Sequence, residues 1–347
     1  IDALQDADYP RTSLRADLRA IAKRDGFTFI QGRVTVIDRE QRTLTYTVPT
    51  SSSRTESVTY DILVLCHGAQ PCFYGIPGAQ EYALPLKSEE DVHHIHDRVR
   101  RLLESASHET SDEERKRLLS FIVVGAGPSG VEAICALKVM VEKRCDQQEY
   151  RTLKPLLSWT LMQASPEILP GFSTNLIIQT KQALAAQGIS VRIGEAVIAL
   201  NEGQVATAKG AMDAGCVLWT AGIEPSRIAM YPDVHTDRAG YLPVDANLSI
   251  TPNVFGAGDV ILYREGNVTI PKNAQTAIRM AKTLSENVVR TITHQPLVPF
   301  HYASKGNILT TGKTGFLDLK FLLVQTRITP FIPNILYRMR FWQVTGT

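Results

Sequence analysis

The run Phe121-Ile122-Val123-Val124-Gly125-Ala126-Gly127-Pro128-Ser129-Gly130-Val131-Glu132 constrains this chain more than any other stretch. A short apolar segment enters Gly-x-Gly-x-x-Gly and a helical pattern follows, which is the strand–turn–helix that receives a dinucleotide pyrophosphate. Gly125 permits the tight turn, Gly127 lets the backbone approach the phosphates, and Gly130 lets the helix pack closely on the strand. The helix N-terminus adds free N–H groups and a positive dipole end for the anion. A chain built around such a turn is expected to be α/β.

The flanking sequence agrees. Thr12 to Lys23 reads as a helix with Leu14, Leu18 and Ile21 on one face, ended by Gly26. Phe27–Ile30 is predicted as a strand, Arg33–Asp38 and Thr43–Val48 as a small antiparallel meander, and Pro49–Glu56 as a polar loop. Tyr60–Ala69 is predicted as a buried strand ending in glycine, and residues 88–119 as a charged helical region. After the glycine turn, a helix to about Lys143, a strand Trp159–Gln163, a helix 174–187 and a strand Ile189–Ile193 alternate as in a parallel sheet. Cys216–Gly222 and Thr251–Asp259 repeat the strand-to-glycine pattern, and a helix spans about Lys272 to Arg290.

Composition excludes several classes. The 347 residues suffice for two or three domains, and a net charge of +2 gives no basic field for nucleic acid. The five cysteines lack C-x-x-C spacing, so neither a zinc site nor a redox pair is expected, and the thiols should be reduced and mostly buried. His93 and His94 point apart on a helix, and no metal site is expected. No run is apolar and long enough for a transmembrane helix.

Separated pieces together resemble one family. Tyr60-Asp61-Ile62-Leu63-Val64-Leu65-Cys66-His67-Gly68 resembles the Tyr-Asp-x-Leu-Val-x-Ala-Thr-Gly strand of flavoprotein pyridine-nucleotide reductases. Trp219-Thr220-Ala221-Gly222 resembles their second strand–glycine junction, and Thr251–Asp259 their second flavin motif. Val131-Glu132, Glu167-Ile168-Leu169-Pro170, Ala274-Gln275-Thr276-Ala277 and Tyr302-Ala303-Ser304-Lys305-Gly306 look most like type II NADH dehydrogenases. The resemblance implies two Rossmann-like dinucleotide-binding domains, the NAD(P)H domain inserted in a split FAD domain. The expected boundaries are 1–88 and 224–296 for FAD, 89–223 for NAD(P)H, and 297–347 for a membrane-associating tail. That family opens with its own FAD glycine motif; nothing before Thr12 resembles one, and the chain starts at Ile1, so the first strand–turn–helix and the next strand are expected to be missing.

The implied activity is hydride transfer from NAD(P)H to FAD, then electron delivery to a membrane quinone without proton pumping. The resemblance assigns Gly125, Gly127, Gly130 and Gln163 to NAD(P)H, and Gly68, Gly222, Gly258, Asp259 and Ala274 to the flavin side, with Asp259 on the ribitol. Glu132 and Lys305 become a proton-relay pair, and Gln275 and Arg279 quinone-side groups, Arg279 replacing the family's second Gln. A dinucleotide site ordinarily ends its second strand with an acid that repels a 2′-phosphate. Gln163 stands there instead, so relaxed NADH/NADPH choice or an NADPH preference is expected.

From Leu319 to Thr347 the basic residues are Lys320, Arg327, Arg338 and Arg340, with no acid and many apolar side chains between them. This suits a segment lying in a membrane interface, with a homodimer interface or a domain cover as the other readings. The expected location is one face of an energy-transducing membrane, bacterial or organellar. Two rival readings are a soluble NAD(P)H-dependent flavoprotein reductase with another acceptor, and a non-catalytic nucleotide-sensing relative.

Overall fold

The computed structural model describes residues 2–5, 16–49, 54–303, 306–312, 314–319 and 322–326. They divide into two compact units. The first comprises the described residues of 1–16, 71–222 and 305–347, and the second those of 17–70 and 223–304.

The first unit is built on five parallel strands in the spatial order Leu84–Pro85, Cys216–Trp219, Ser120–Val124, Ser158–Met162, Ser190–Arg192. The run Phe121-Ile122-Val123-Val124 is continuously apolar because both faces of its strand are covered. Phe121 and Val123 face a core shared with the helices Glu89–His108, Pro128–Cys145 and Thr174–Ala186. Ile122 and Val124 face the other way, against Val197, Leu200 and Val205 of an antiparallel meander, Val197–Asn201, Gln204–Thr207 and Gly210–Asp213. Ser88 begins the charged helix with a reciprocal capping box to Asp91, and the charged region is two helices, the second Asp112–Leu118. A three-stranded antiparallel sheet, Asn307–Thr311, Thr314–Leu319 and Leu322–Thr326, adds Leu309 and Phe316 to the core around helix Pro128–Cys145.

In the second unit Leu63–Leu65 runs parallel to Val254–Gly256, which pairs antiparallel with Ser249–Thr251. Helix Ala274–Ile292 packs Met280 and Leu284 onto Phe255, Val260 and Phe300. Three local expectations are corrected here. Phe27–Ile30 forms no strand: no described segment lies beside it to take its ladder bonds, and Phe27 and Ile30 are exposed. The end of the expected polar loop belongs to a strand, Arg54–Thr59, which pairs along its whole length with Thr43–Val48. The buried strand shortens to Leu63–Leu65. Gly26 does end its helix, in the left-handed region at φ 75° after Leu18–Asp25, with Asp17 as N-cap. Residues 6–15 and 327–347, and with them Thr12 and most of the basic tail, lie outside the described residues. Among the described residues no helix is long and apolar enough to cross a membrane.

Candidate functional site

The glycine turn sits where the sheet reverses its winding. The chain leaves Ser120–Val124 toward Ser158–Met162 and Ser190–Arg192, then returns to Cys216–Trp219 on the other side. Such a switch point opens a crevice at the carboxyl ends of the two diverging strands. Gly125 lies there at φ 101°, and a β-carbon on it would come within 2.6 Å of the Ala221 backbone. At Gly130 a β-carbon would lie 1.7 Å from the Gly125 carbonyl oxygen, so the helix approaches the turn too closely for any side chain. Gly127, the N-cap of helix Pro128–Cys145, has open space beside it and no side-chain cap. Gly125 and Gly130 thus shape the turn, while Gly127 keeps its outer face bare.

Two side chains and one backbone N–H from outside the glycine motif hold the turn. Thr220 Oγ1 donates to the Val124 and Gly125 carbonyls, both at 3.0 Å. The Ala126 N–H donates to Gln163 Oε1 at 2.8 Å, and Gln163 Nε2 donates to Ser165 Oγ at 2.7 Å. The Leu169 N–H, on a residue at φ 49°, reaches the Ala126 carbonyl at 2.8 Å. Gln163 is therefore at the end of the second strand, as its sequence position implies, with its amide turned into the glycine loop. The Ile168-Leu169 pair, fully buried, is the anchor of that clasp.

Glu132, half-buried, is the fifth residue of the same helix, just past its first turn. Its Oε1 accepts from the Thr310 N–H at 2.9 Å and from Thr310 Oγ1 at 3.0 Å, which ties the strand Asn307–Thr311 to the helix. Lys305, its expected partner, lies outside the described residues. Gly222 follows Cys216–Trp219 at the crevice, and the Tyr74 ring lies against it.

In the second unit Gly258 turns at φ 78° after Val254–Gly256, and Asp259 sits half-buried in the short helix Gly258–Val260. Helix Ala274–Ile292 starts beside it, capped by Asn273, whose side chain accepts from the Thr276 N–H at 2.9 Å. A small cavity between them is lined by Gly258, Asp259, Lys272, Asn273, Thr276 and Met280, among others. The Thr276 hydroxyl is buried there without a hydrogen-bond partner. Lys272 donates to the Ile261 carbonyl and lies over the Tyr241 ring, 3.8 Å from its centroid. Burial pushes its ammonium below the usual lysine range, against the pull of Asp259 and Asp237. Ala274 and Gln275 are exposed in the first turn, and the Arg279 guanidinium donates to the Ala303 carbonyl. Gly68, at φ 73°, accepts from the Ser226 N–H at 3.3 Å.

The sequence profile of the pyridine nucleotide-disulphide oxidoreductase family matches residues 5–281. The chain belongs to that family. Within it, the chain is similar to the type II NADH:quinone oxidoreductase NdhA of Mycobacterium tuberculosis, 29% identical over 81% of this chain and 62% of that protein. It is also similar to the Staphylococcus aureus type II NADH:quinone oxidoreductase, 26% identical over 88% of this chain and 75% of the other. The chain spans about three-fifths of the length of the two mycobacterial relatives it matches, 62% and 58%. Among solved structures, NDH2 of Plasmodium falciparum in complex with NADH shares the fold at a TM-score of 0.79 and 18% identity, covering 91% of this chain and 82% of that one. The sulfide:quinone oxidoreductase of Aquifex aeolicus does so at 0.79 and 16%, covering 99% and 81%. The expected α/β FAD/NAD-binding fold and the resemblance to type II NADH dehydrogenases both hold.

The residues present fit the nucleotides this family fold takes. The space that a β-carbon at Gly125 or Gly130 would fill is what makes the turn tight enough to aim backbone N–H groups at a pyrophosphate. The buried, partnerless hydroxyl of Thr276, beside Asp259, is what a polar ligand in that cavity would satisfy. Thr220, Leu169, Lys272 and Thr276 escaped sequence reasoning as site residues. Their roles depend on which segments meet: Thr220, Leu169 and Thr276 lie inside stretches with a visible motif that did not single them out, and Lys272 lies in none.

Proposed function

We propose that this chain is the greater part of a flavin-dependent NAD(P)H:quinone oxidoreductase. The observation that carries the reading is the presence of two separate nucleotide-type glycine turns. One, at Gly125–Gly130, is shaped by bare backbone; the other, at Gly258-Asp259, opens beside a buried hydroxyl without a partner. In this reading Gly125, Gly127 and Gly130 hold the NAD(P)H pyrophosphate, Gly222 borders its nicotinamide half, and Gly68, Gly258, Asp259 and Ala274 hold FAD. FAD when bound supplies the hydride-accepting and electron-passing chemistry. The start of helix Ala274–Ile292 and the Lys272 ammonium favour negative charge in the flavin cavity. Gln275 and Arg279 serve the quinone side. Glu132, held by Thr310 at Oε1, exchanges protons on the quinone side, and Lys305 is its relay partner.

Nucleotide choice is relaxed toward NADPH in this reading, because Gln163 brings an uncharged amide, occupied by Ala126 and Ser165, where a carboxylate would repel a 2′-phosphate. A strong kinetic preference for NADH would remove that part alone. Membrane association is assigned to residues 327–347, since residues 314–319 and 322–326 are paired in a sheet of the first unit. Truncation after Thr326 should release the protein from anionic vesicles; unchanged pelleting would refute the anchor. The whole reading is tested on the purified full-length protein by flavin absorbance and by NAD(P)H oxidation with a quinone against a soluble acceptor. Absence of flavin, or turnover only with the soluble acceptor, would reject it.

A further inference from the structure

The dinucleotide reading leaves the nicotinamide half of its ligand without an assigned wall. The phosphates belong to Gly125–Gly130 at the end of Ser120–Val124. The adenosine ribose belongs on the side of Gln163, at the end of the neighbouring strand Ser158–Met162. The other half of the nucleotide must then cross the switch point to Thr220–Gly222, at the end of Cys216–Trp219.

The group standing there is Tyr74. Its loop is fastened to the strand end at three points: the Cys72 N–H donates to the Gly222 carbonyl at 3.0 Å, Trp219 Nε1 donates to the Cys72 carbonyl at 2.7 Å, and the Phe73 ring lies 5.7 Å from the Trp219 ring. Directly after these fastenings Tyr74 takes φ 54° and Gly75 φ 65°. The left-handed region costs a non-glycine residue about 1 kcal/mol or more. The strained turn lays the ring across Gly222. The Tyr74 hydroxyl donates to the Ala221 carbonyl at 3.3 Å, and a β-carbon at Gly222 would lie 2.0 Å from that hydroxyl oxygen. Yet the residue remains 63% exposed. A large aromatic side chain held by unfavourable backbone geometry, and then left mostly in water, gains little from the fold itself.

We propose that Tyr74 is a nucleotide-positioning residue, its ring forming the wall of the nicotinamide end of the crevice, with Gly222 bare so that the ring has room. The inference rests on the dinucleotide reading above and adds the residue that recognises the nicotinamide ring. Planar aromatic contact suits that ligand: ring-on-ring packing carries a preference beyond the area it buries. ADP-ribose shares the phosphates and adenosine of NADH and lacks the nicotinamide, so it separates this contact from the rest of the site.

The test is a calorimetric titration of the full-length protein with NADH and with ADP-ribose. Tyr74→Ala should weaken NADH binding about fivefold and leave ADP-ribose unchanged. Tyr74→Phe, which keeps the ring, should bind both as the native protein does. Gly222→Ala should push the ring aside and weaken NADH as Tyr74→Ala does, with little further loss when the two are combined. Equal weakening of both ligands by Tyr74→Ala, or of neither, would overturn the proposal and leave Tyr74 as a brace of the strand end. A loss on adding Gly222→Ala to Tyr74→Ala as large as that in the native protein would overturn it too. If the native protein binds neither ligand, the dinucleotide reading itself fails and the wall with it; binding of both NADH and ADP-ribose with no dependence of either on Tyr74 leaves that reading standing and removes only the wall.

Discussion

The two glycine turns sit on parallel strands, and they are built by opposite means. In the first unit the turn after Ser120–Val124 is made by what is missing: β-carbons at Gly125 and Gly130 would strike backbone within 2.6 Å and 1.7 Å. In the second unit the turn after Val254–Gly256 is less crowded, and a β-carbon at Gly258 would meet only the Ala277 methyl at 3.7 Å. There side chains, Asp259, Lys272 and Thr276, line the cavity, converging from the turn and a helix start. A turn made by close backbone approach leaves its mark in one contiguous motif. A site made by convergent side chains leaves fragments spread over a longer stretch.

This contrast is most exposed to disproof at Gly130. Gly130→Ala forces helix and turn apart and should cost about 3 kcal/mol, the upper part of the usual overpacking range, together with NADH binding. Gly127→Ala, with open space beside it, should change stability by no more than about 1 kcal/mol while still weakening the nucleotide. Thermal denaturation alongside NADH titration reads both; equal stability losses would mean that the two glycines do not divide the labour as described.

A smaller effect is expected at Glu132, which joins the first unit's nucleotide helix to the strand Asn307–Thr311 by a double acceptor contact. Glu132→Ala leaves the part-buried Thr310 donors without their acceptor, at about 1–3 kcal/mol. Glu132→Gln keeps an oxygen there and should stay near the native stability while slowing any proton transfer. Urea denaturation separates the two, and a Gln variant as unstable as the Ala variant would show that the negative charge, rather than the acceptor, holds the strand.

In the second unit the comparison turns on a hydroxyl. Thr276→Val removes a buried donor that has no partner, so the flavin-free protein should keep its stability within about 1 kcal/mol. Flavin content after gel filtration should nevertheless fall. Undiminished flavin would show that the hydroxyl is no ligand.

The least effect is expected from thiol chemistry at neutral pH. Burial pushes the Cys135 and Cys216 thiols up to about 12 and Cys145 to about 11, all within the first unit. At pH 8 only Cys66 and Cys72, neither of them buried, should react with a thiol reagent in the native protein. The three buried thiols have folded pKa values raised above their unfolded value of 9.0. Their contribution to stability is therefore complete below pH 9 and is lost as the pH climbs through 11 and 12. Unfolding midpoints that do not fall in that window would contradict the sealed core of the first unit.

Local pattern carried much of the architecture. The apolar run into Gly125 declared a strand, Gly26 declared a helix end, and the charged pattern from residue 88 a helical region, because each depends on neighbours a few residues away. Phe27–Ile30 shows where that logic stops: a strand exists only if another strand lies beside it, and its own residues cannot supply the partner. The same limit explains Arg54–Thr59, polar in composition and ordered by Thr43–Val48.

What the sequence by itself determined, then, was the glycine geometry and the family to which it belongs, since a missing β-carbon is a property of the residue. What only the tertiary structure decided was who meets the turn. Gln163 clasps Ala126 from 37 positions away, and Glu132 captures Thr310 across 178. Tyr74 lies on the carbonyl of Ala221, 147 residues along the chain. Contacts of that range arise from the order of strands in a sheet, and no local periodicity encodes that order.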